Sequence, residues 1–442
     1  MVASKDVYCD LLVLDDIYPS SFSPFRTIEY NHFLWFFNCA VLSVEGSRLW
    51  LENHSLEENR AYQESLAGGP LRIHDFKERY DIAARLAYVT FLGNARRFWP
   101  YLRARKLPFI LELYPGGSFA IDQPETDETL REILTSELCR KVIVTQTITR
   151  DYIVQDKIGC SPDKVEFVFG GVFDSNVDFE YTRDKVVYGR DKDTIDLCFV
   201  AHNYGELVSK GYDHFVAVAH RLAERFQNAR FHVVGDYDAS DIDVTALGDR
   251  IIFHGRQRSE FFAEFYPRMD AIVSANRPFV LAPGAFDGFP TGACLEAGFQ
   301  GVANFINDPL DLNAEFRDGI DLVILKDDVE ADAARIAEFL DDPERLSALG
   351  EGTCRAFRRV MDVDRQLWRR TRLIAAELNR HEGLVIAHPA RPSDLDLGPE
   401  LATLRDQLAN VSMPQGYRAF EAIRRELRRA KKRRRERRAS AQ

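Results

Sequence analysis

From residue 195 onward, short apolar runs rich in β-branched and aromatic residues alternate with segments of helical periodicity. The runs fall at 195–201, 231–234, 251–254, 271–274, 302–306 and 322–325. Between the first two, Phe215, Ala219, Leu222 and Phe226 recur on one face of a predicted amphipathic helix. Apolar runs of this length, each followed by a helix, predict parallel strands covered on both faces, in a doubly wound α/β sheet. The first half repeats the rhythm less cleanly, with predicted strands at 11–14, 39–44, 88–92, 109–113, 142–145 and 165–169. Two Rossmann-like domains are therefore expected at 1–180 and 195–375, joined by a polar, charge-rich linker at 174–194. A helical pattern at 364–378 follows the last β/α unit. Beyond it, Ala387-His388-Pro389-Ala390-Arg391-Pro392 breaks regular structure within a C-terminal helical extension, 376–442. Open parallel sheets bind ligands at the carboxyl ends of their strands, so a cleft between two such domains is the expected site.

Composition narrows the class. A chain of 442 residues, 45% hydrophobic, has enough apolar side chains for two cores. Its seven cysteines are odd in number and scattered, without a C-x-x-C pair or a Cys/His cluster at zinc-ligand spacing, which predicts a reducing compartment and no structural zinc. The first residues lack a basic segment followed by an apolar one, and nowhere do eighteen apolar residues run together, so a cytoplasmic protein is expected. Charge is unevenly placed. Residues 424–438 hold eleven Lys/Arg against two Glu, a net +9, so the −11 of the whole chain leaves −20 for the rest. An acidic body argues against nucleic acid as the specific partner. In the tail, Tyr417, Phe420, Ile423 and Leu427 recur at helical spacing among basic residues, a pattern that suits an anionic membrane surface or, equally, a solvated charged end.

The candidate chemistry gathers where strands meet helices. Asp287-Gly288-Phe289-Pro290-Thr291 leads into Gly292-Ala293-Cys294-Leu295-Glu296, two carboxylates around a glycine-rich turn that opens a helix. Helix N-terminal N–H groups favour a phosphate, and carboxylates accept hydrogen bonds from sugar or ribose hydroxyls. Upstream, His202 and Lys210 lie on the loop leaving the first strand of the second domain, where a lysine can neutralise a diphosphate. His254-Gly255-Arg256 ends another strand and offers a backbone against which a base could rest. The nearby stripe Phe261, Phe262, Phe265 and Tyr266 reads as core, and Asp236-x-Asp238 as one of several chance acidic pairs in an acidic chain. In the first half, Asp15-Asp16 with Arg26 and Glu29 follows the first strand, and Tyr114-Pro115-Gly116-Gly117 follows a later one; Asp16, Tyr114, Gly116 and Gly117 are the acceptor-side candidates. No Walker loop, G-x-G-x-x-G fingerprint, His-Glu-x-x-His helix or Ser/His/Asp hydrolase order is present.

Taken together, Lys210-Gly211, Val233-Val234-Gly235, Phe253-His254-Gly255, the 270–274 run and Asp-Gly-Phe-Pro with Leu-Glu-Ala resemble the donor domain of GT-B glycosyltransferases of the family-4 type, across about 195–375. The resemblance implies two Rossmann-like domains facing a central cleft, and retaining, metal-independent transfer from a nucleotide-sugar to a glycan or glycolipid. It implies that Lys210 holds the donor diphosphate, that Glu296 receives the ribose hydroxyls, and that Asp287 stands near the transferred sugar, with the 288–291 backbone approaching sugar and phosphates. No cofactor beyond the donor is implied. This chain departs from the pattern in three ways: eight residues rather than seven separate Asp287 from Glu296, the first acid is Asp rather than Glu, and His202 stands where an arginine commonly assists the lysine. These departures motivate an alternative, a non-catalytic protein of the same fold that binds a nucleotide-sugar or a partner. A third possibility is an epimerase or phosphorylase of that fold.

Overall fold

The computed structural model describes residues 8–19, 23–44, 55–257 and 259–380. The basic tail and the 387–392 break lie outside them. Seven parallel strands form the first sheet: β1 (Tyr8–Asp15), β2 (Cys39–Ser43), β3 (Ile73–Asp75), β4 (Ala83–Thr90), β5 (Phe109–Leu113), β6 (Cys139–Val144) and β7 (Val165–Phe167), in the order β3-β2-β1-β4-β5-β6-β7. Six more form the second: β8 (Ile195–Val200), β9 (Ala229–Val234), β10 (Ile251–Gly255), β11 (Ala271–Ser274), β12 (Ala303–Asn307) and β13 (Val323–Leu325), in the order β10-β9-β8-β11-β12-β13. Both are doubly wound α/β sheets whose order reverses beside the first strand, between β1 and β4 and between β8 and β11. The central strands are apolar on both faces because helices cover both: Leu11, Leu12, Val13 and Leu14 are fully buried, as are Ile195, Leu197 and Cys198.

Local chemistry explains most boundaries. The helix Tyr212–Arg225 buries Phe215, Ala219 and Leu222 against the second sheet, as its periodicity predicts. The strand expected at 88–92 instead starts earlier and stops at Thr90, because Phe91, at φ 73°, turns the chain and Leu92 already begins the helix Leu92–Ala104. β3 carries no periodic signal at three residues and was not expected. The segment 174–194 is no loose linker throughout: Ser175 and Lys185 are buried, and Lys185 donates to the carbonyls of Tyr266 (3.3 Å) and Met269.

A division at residue 375 does not match the packing. The helix Val363–Arg380 crosses back from the second domain and lies on the first sheet, where Ile374 and Leu378 join Leu11, Val13 and Tyr30 in one cluster. Gln366 Nε2 donates to Phe169 O at 3.0 Å. At its centre Arg370 is fully buried, 2.6 Å from Glu112 and 3.3 Å from Glu29, and donates to the Tyr114 hydroxyl at 3.2 Å. Two carboxylates therefore share one guanidinium. Burial, reinforced by Glu112, pushes the Glu29 carboxyl well above its usual range, so that it is held protonated.

Candidate functional site

Three loops meet between the sheets at the carboxyl end of the second one. The first leaves β8 and carries Lys210. Its next residue, Gly211, has φ +73°, and a Cβ there would stand 2.2 Å from Ala275 O, so this loop presses against the end of β11 as only glycine allows. Arg277 N donates to Ser209 O at 3.0 Å and ties the loops after β8 and β11 together. The third loop descends from Gly284 to Thr291. It is seated on the first domain: Ile121 N donates to Gly284 O at 2.9 Å, Gly288 faces Gln146 and Pro115, and Gln146 Nε2 reaches Phe289 O at 3.4 Å. Phe289 and Pro290 are buried in this seat.

The structure brings Lys210 and Asp287 together. Lys210 Nζ donates to Asp287 Oδ2 at 2.5 Å and lies 5.4 Å from the centre of the Tyr204 ring. A cavity opens beside the pair, bordered by Asn276, Arg277, Asp287, Thr291, Asn307 and Asp308. Thr291 precedes the helix Gly292–Phe299 in an extended conformation, and its side chain does not cap it, so the first N–H groups and positive end of this helix stand next to the cavity. One turn in, Glu296 has no hydrogen-bonding partner among the described residues. Burial raises its carboxyl to about 7. Thr291 at the start of this helix lines the cavity, and Lys210 stands beside it through Asp287; a cation and a helix N-terminus near one another suit an anionic ligand.

The other candidates are placed differently. His202 lies on the same loop as Lys210, and its carbonyl receives the Tyr237 hydroxyl at 3.3 Å. The His254 ring points into the sheet: its Nε2 is 3.1 Å from His232 Nδ1, whose Nε2 is in turn 2.9 Å from Asp196, and it packs on Phe261 and Phe265. Only the His254 backbone remains for a ligand. Burial and the neighbouring His232 lower its pKa, which favours the neutral ring. Phe265 and Tyr266 are buried, as expected of a core stripe.

On the first domain, Asp16 follows β1 at the switch point, 2.7 Å from Arg26, 3.1 Å from Asn94 and 3.6 Å from Arg97. Against the burial that would raise it, Arg26 and Arg97 hold its carboxyl below the usual range. Tyr114 is tied by its hydroxyl to Arg370, away from any acceptor role through that atom. Gly117 does not make room for a ligand, since a Cβ there would lie 2.3 Å from the Phe91 ring; Gly116 does face open space. Sequence reasoning missed Arg277, Asn307 and Gln146. The first two follow β11 and end β12, where the strand-end rule points, but nothing in the residue pattern marks them. Among the described residues no group of three His, Cys, Asp or Glu is placed to hold a metal ion.

Residues 195–342 match the family model of glycosyl transferases group 1. Among curated proteins none matches the chain. Similar solved structures include Anabaena HepE in complex with UDP and glucose (TM-score 0.60, 12% identity, covering 83% of this chain and 99% of that one). Another is sucrose-phosphate synthase from Thermosynechococcus elongatus (0.56, 14%, 83% and 98%). A third is a glycosyltransferase from Rickettsia africae ESF-5 (0.60, 11%, 85% and 99%). At such identities the likeness is one of fold, and the fold is GT-B.

Proposed function

We propose that this chain, whose fold is GT-B and whose residues 195–342 match the glycosyl transferases group 1 model, transfers a sugar, with retention and without a metal ion, from a nucleotide-sugar to a glycan or glycolipid acceptor. The observation that carries this reading is that Lys210 meets Asp287 on the loop leading into the helix Gly292–Phe299, whose N-terminus has no side-chain cap and which carries Glu296. Lys210 and the helix N-terminus stabilise the nucleoside diphosphate as it leaves and its charge grows. Glu296 receives the ribose hydroxyls, and the Gly288-Phe289-Pro290-Thr291 backbone borders the sugar. The acceptor enters from the first domain beside Gly116 and Asp16, on the face the leaving group vacates. The complex of HepE with UDP and glucose supports a nucleotide-sugar donor here.

A thermal-shift screen of UDP, GDP, ADP and their sugar conjugates tests the donor site. A ligand at one hundred times its Kd stabilises by about 2.7 kcal/mol. One nucleotide is expected to shift the transition, and Lys210→Ala or Glu296→Ala to abolish the shift; no shift with any nucleotide would overturn the reading. The alternative, a non-catalytic binder, draws on the engagement of Lys210 by Asp287, and measured sugar transfer would exclude it.

We further propose peripheral attachment to an anionic membrane at the cytoplasmic face. The basic tail suggests it, and the described surface adds exposed Trp35 (83%), Phe36 and Trp368, with Arg365, Arg369 and Arg372 on the outer face of the helix Val363–Arg380. Among the described residues no helix is long and apolar enough to cross a membrane. Deleting residue 424 onward is expected to lower co-sedimentation with anionic vesicles, and unchanged sedimentation would refute the tail's part.

A further inference from the structure

The ion pair between Lys210 and Asp287 joins residues 77 positions apart, on two loops that are separately pinned. Gly211 against Ala275 O fixes the lysine loop; Gly284 against Ile121 O, where a Cβ would approach to 2.0 Å, fixes the aspartate loop. Neither anchor depends on the pair. Asp287 is the one carboxylate that Lys210 meets among the described residues, while the nearest arginine after β11, Arg277, is already held by Asp213 (2.7 Å) and Asp327 (2.9 Å). The lysine side chain is 14% exposed and the aspartate 40%, so the lysine is inside the site and its partner sits at the rim. Asp287 therefore occupies, from the solvent side, the place on Nζ that an anionic ligand would take.

Resting on the donor-site reading above, we propose that Asp287 is a positioning residue and not a sugar contact: a displaceable counter-ion that holds Lys210 Nζ in the cleft until the diphosphate replaces it. A ligand must then outcompete an existing carboxylate, which selects for a diphosphate, with its higher charge density and several acceptor oxygens, over a monophosphate or a neutral sugar. Arg277, being doubly paired, does not substitute for Lys210 in this exchange.

The test is isothermal titration of the full-length protein with inorganic pyrophosphate, UDP and UDP-glucose, in wild type, Asp287→Asn, Lys210→Gln and the double variant. Asp287→Asn is expected to bind pyrophosphate and UDP about three- to tenfold more tightly, the range of releasing a partly exposed ion pair and removing a like charge. The gain should vanish in the Lys210→Gln background, because the cycle isolates the pair. Binding of pyrophosphate and UDP that is unchanged or weaker in Asp287→Asn, with wild-type binding intact, would overturn the proposal alone. A loss confined to UDP-glucose would also overturn it, by making Asp287 a sugar ligand. Failure of the wild type to bind UDP or UDP-glucose would instead overturn the donor-site reading, and this proposal with it.

Discussion

The two sheets share one strand order and treat charge at the carboxyl ends of their central strands in opposite ways. After β1, Asp15 is fully buried and accepts from the N–H groups of Ile17 and Tyr18, from Arg26 and from the Tyr30 hydroxyl. Asp16 is partly exposed but paired with Arg26 and Arg97, and behind them Arg370, Glu29, Glu112, Tyr88 and Tyr114 form a buried network. After β8, among the described residues, Lys210 has a single carboxylate partner at the rim, and Glu296 on the helix Gly292–Phe299 has no hydrogen-bonding partner. Where charges are bound chiefly to one another inside the protein they fix architecture; where a lysine and a carboxyl have few partners at the strand ends they are available to a ligand. The difference teaches that the donor half is recognised by what its charged groups lack, more than by their number.

The contrast can be broken most forcefully at Arg370. Arg370→Met leaves Glu29 and Glu112 buried without their shared cation, and is expected to destabilise the chain by about 3–5 kcal/mol in urea unfolding. A loss under about 1 kcal/mol would show that the network is not the structural half of the comparison. At Lys210 the expectation inverts. Lys210→Ala should change stability by less than about 1 kcal/mol, since its pair is partly exposed, yet lower turnover roughly 10²-fold, about 3 kcal/mol of transition-state stabilisation. Stability loss with activity retained would reverse the assignment.

Glu296 sharpens the comparison through pH. Its carboxyl is raised in the folded chain to about 7, above its value in the unfolded one. The unfolded state therefore releases this proton first, and stability declines as pH rises from about 4.5 to about 7, then levels. Glu296→Gln should remove that slope and stabilise the chain at pH 8 by about 3 kcal/mol, read from melting curves across pH. An unchanged slope would show the carboxyl to be partnered after all. The smallest expected effect is at Trp35, 83% exposed: Trp35→Ser should alter stability by less than about 0.5 kcal/mol while reducing binding to anionic vesicles. Unaltered vesicle binding would remove that residue from the membrane face.

Much of the architecture was legible from periodicity. The strands β5 and β11 fall where the apolar runs place them, and the switch-point rule points to Lys210 and to the segment 287–296. What escaped did so for identifiable reasons. β3 is an edge strand too short to show alternation. The buried face of the helix Val363–Arg380 carries Arg370 and Glu377 among its apolar residues, and a charged residue on a core face looks like one on a solvent face until its partners are known. Gly117 reads as room for a ligand and is instead room for Phe91.

The sequence by itself determined two α/β domains, the strand-to-helix turns where a ligand can meet backbone N–H groups, and the residue types at those turns, because each depends on periodicity and spacing within some fifteen residues. Tertiary structure alone decided that the helix Val363–Arg380 belongs to the first sheet, that His254 turns its ring toward His232, and that Asp287 reaches Lys210. Those are contacts across 22 to at least 293 positions of chain. Amphipathic patterns state that a face will be buried and an ionic group will be paired, but the partner is chosen by shape and burial once the domains close on one another.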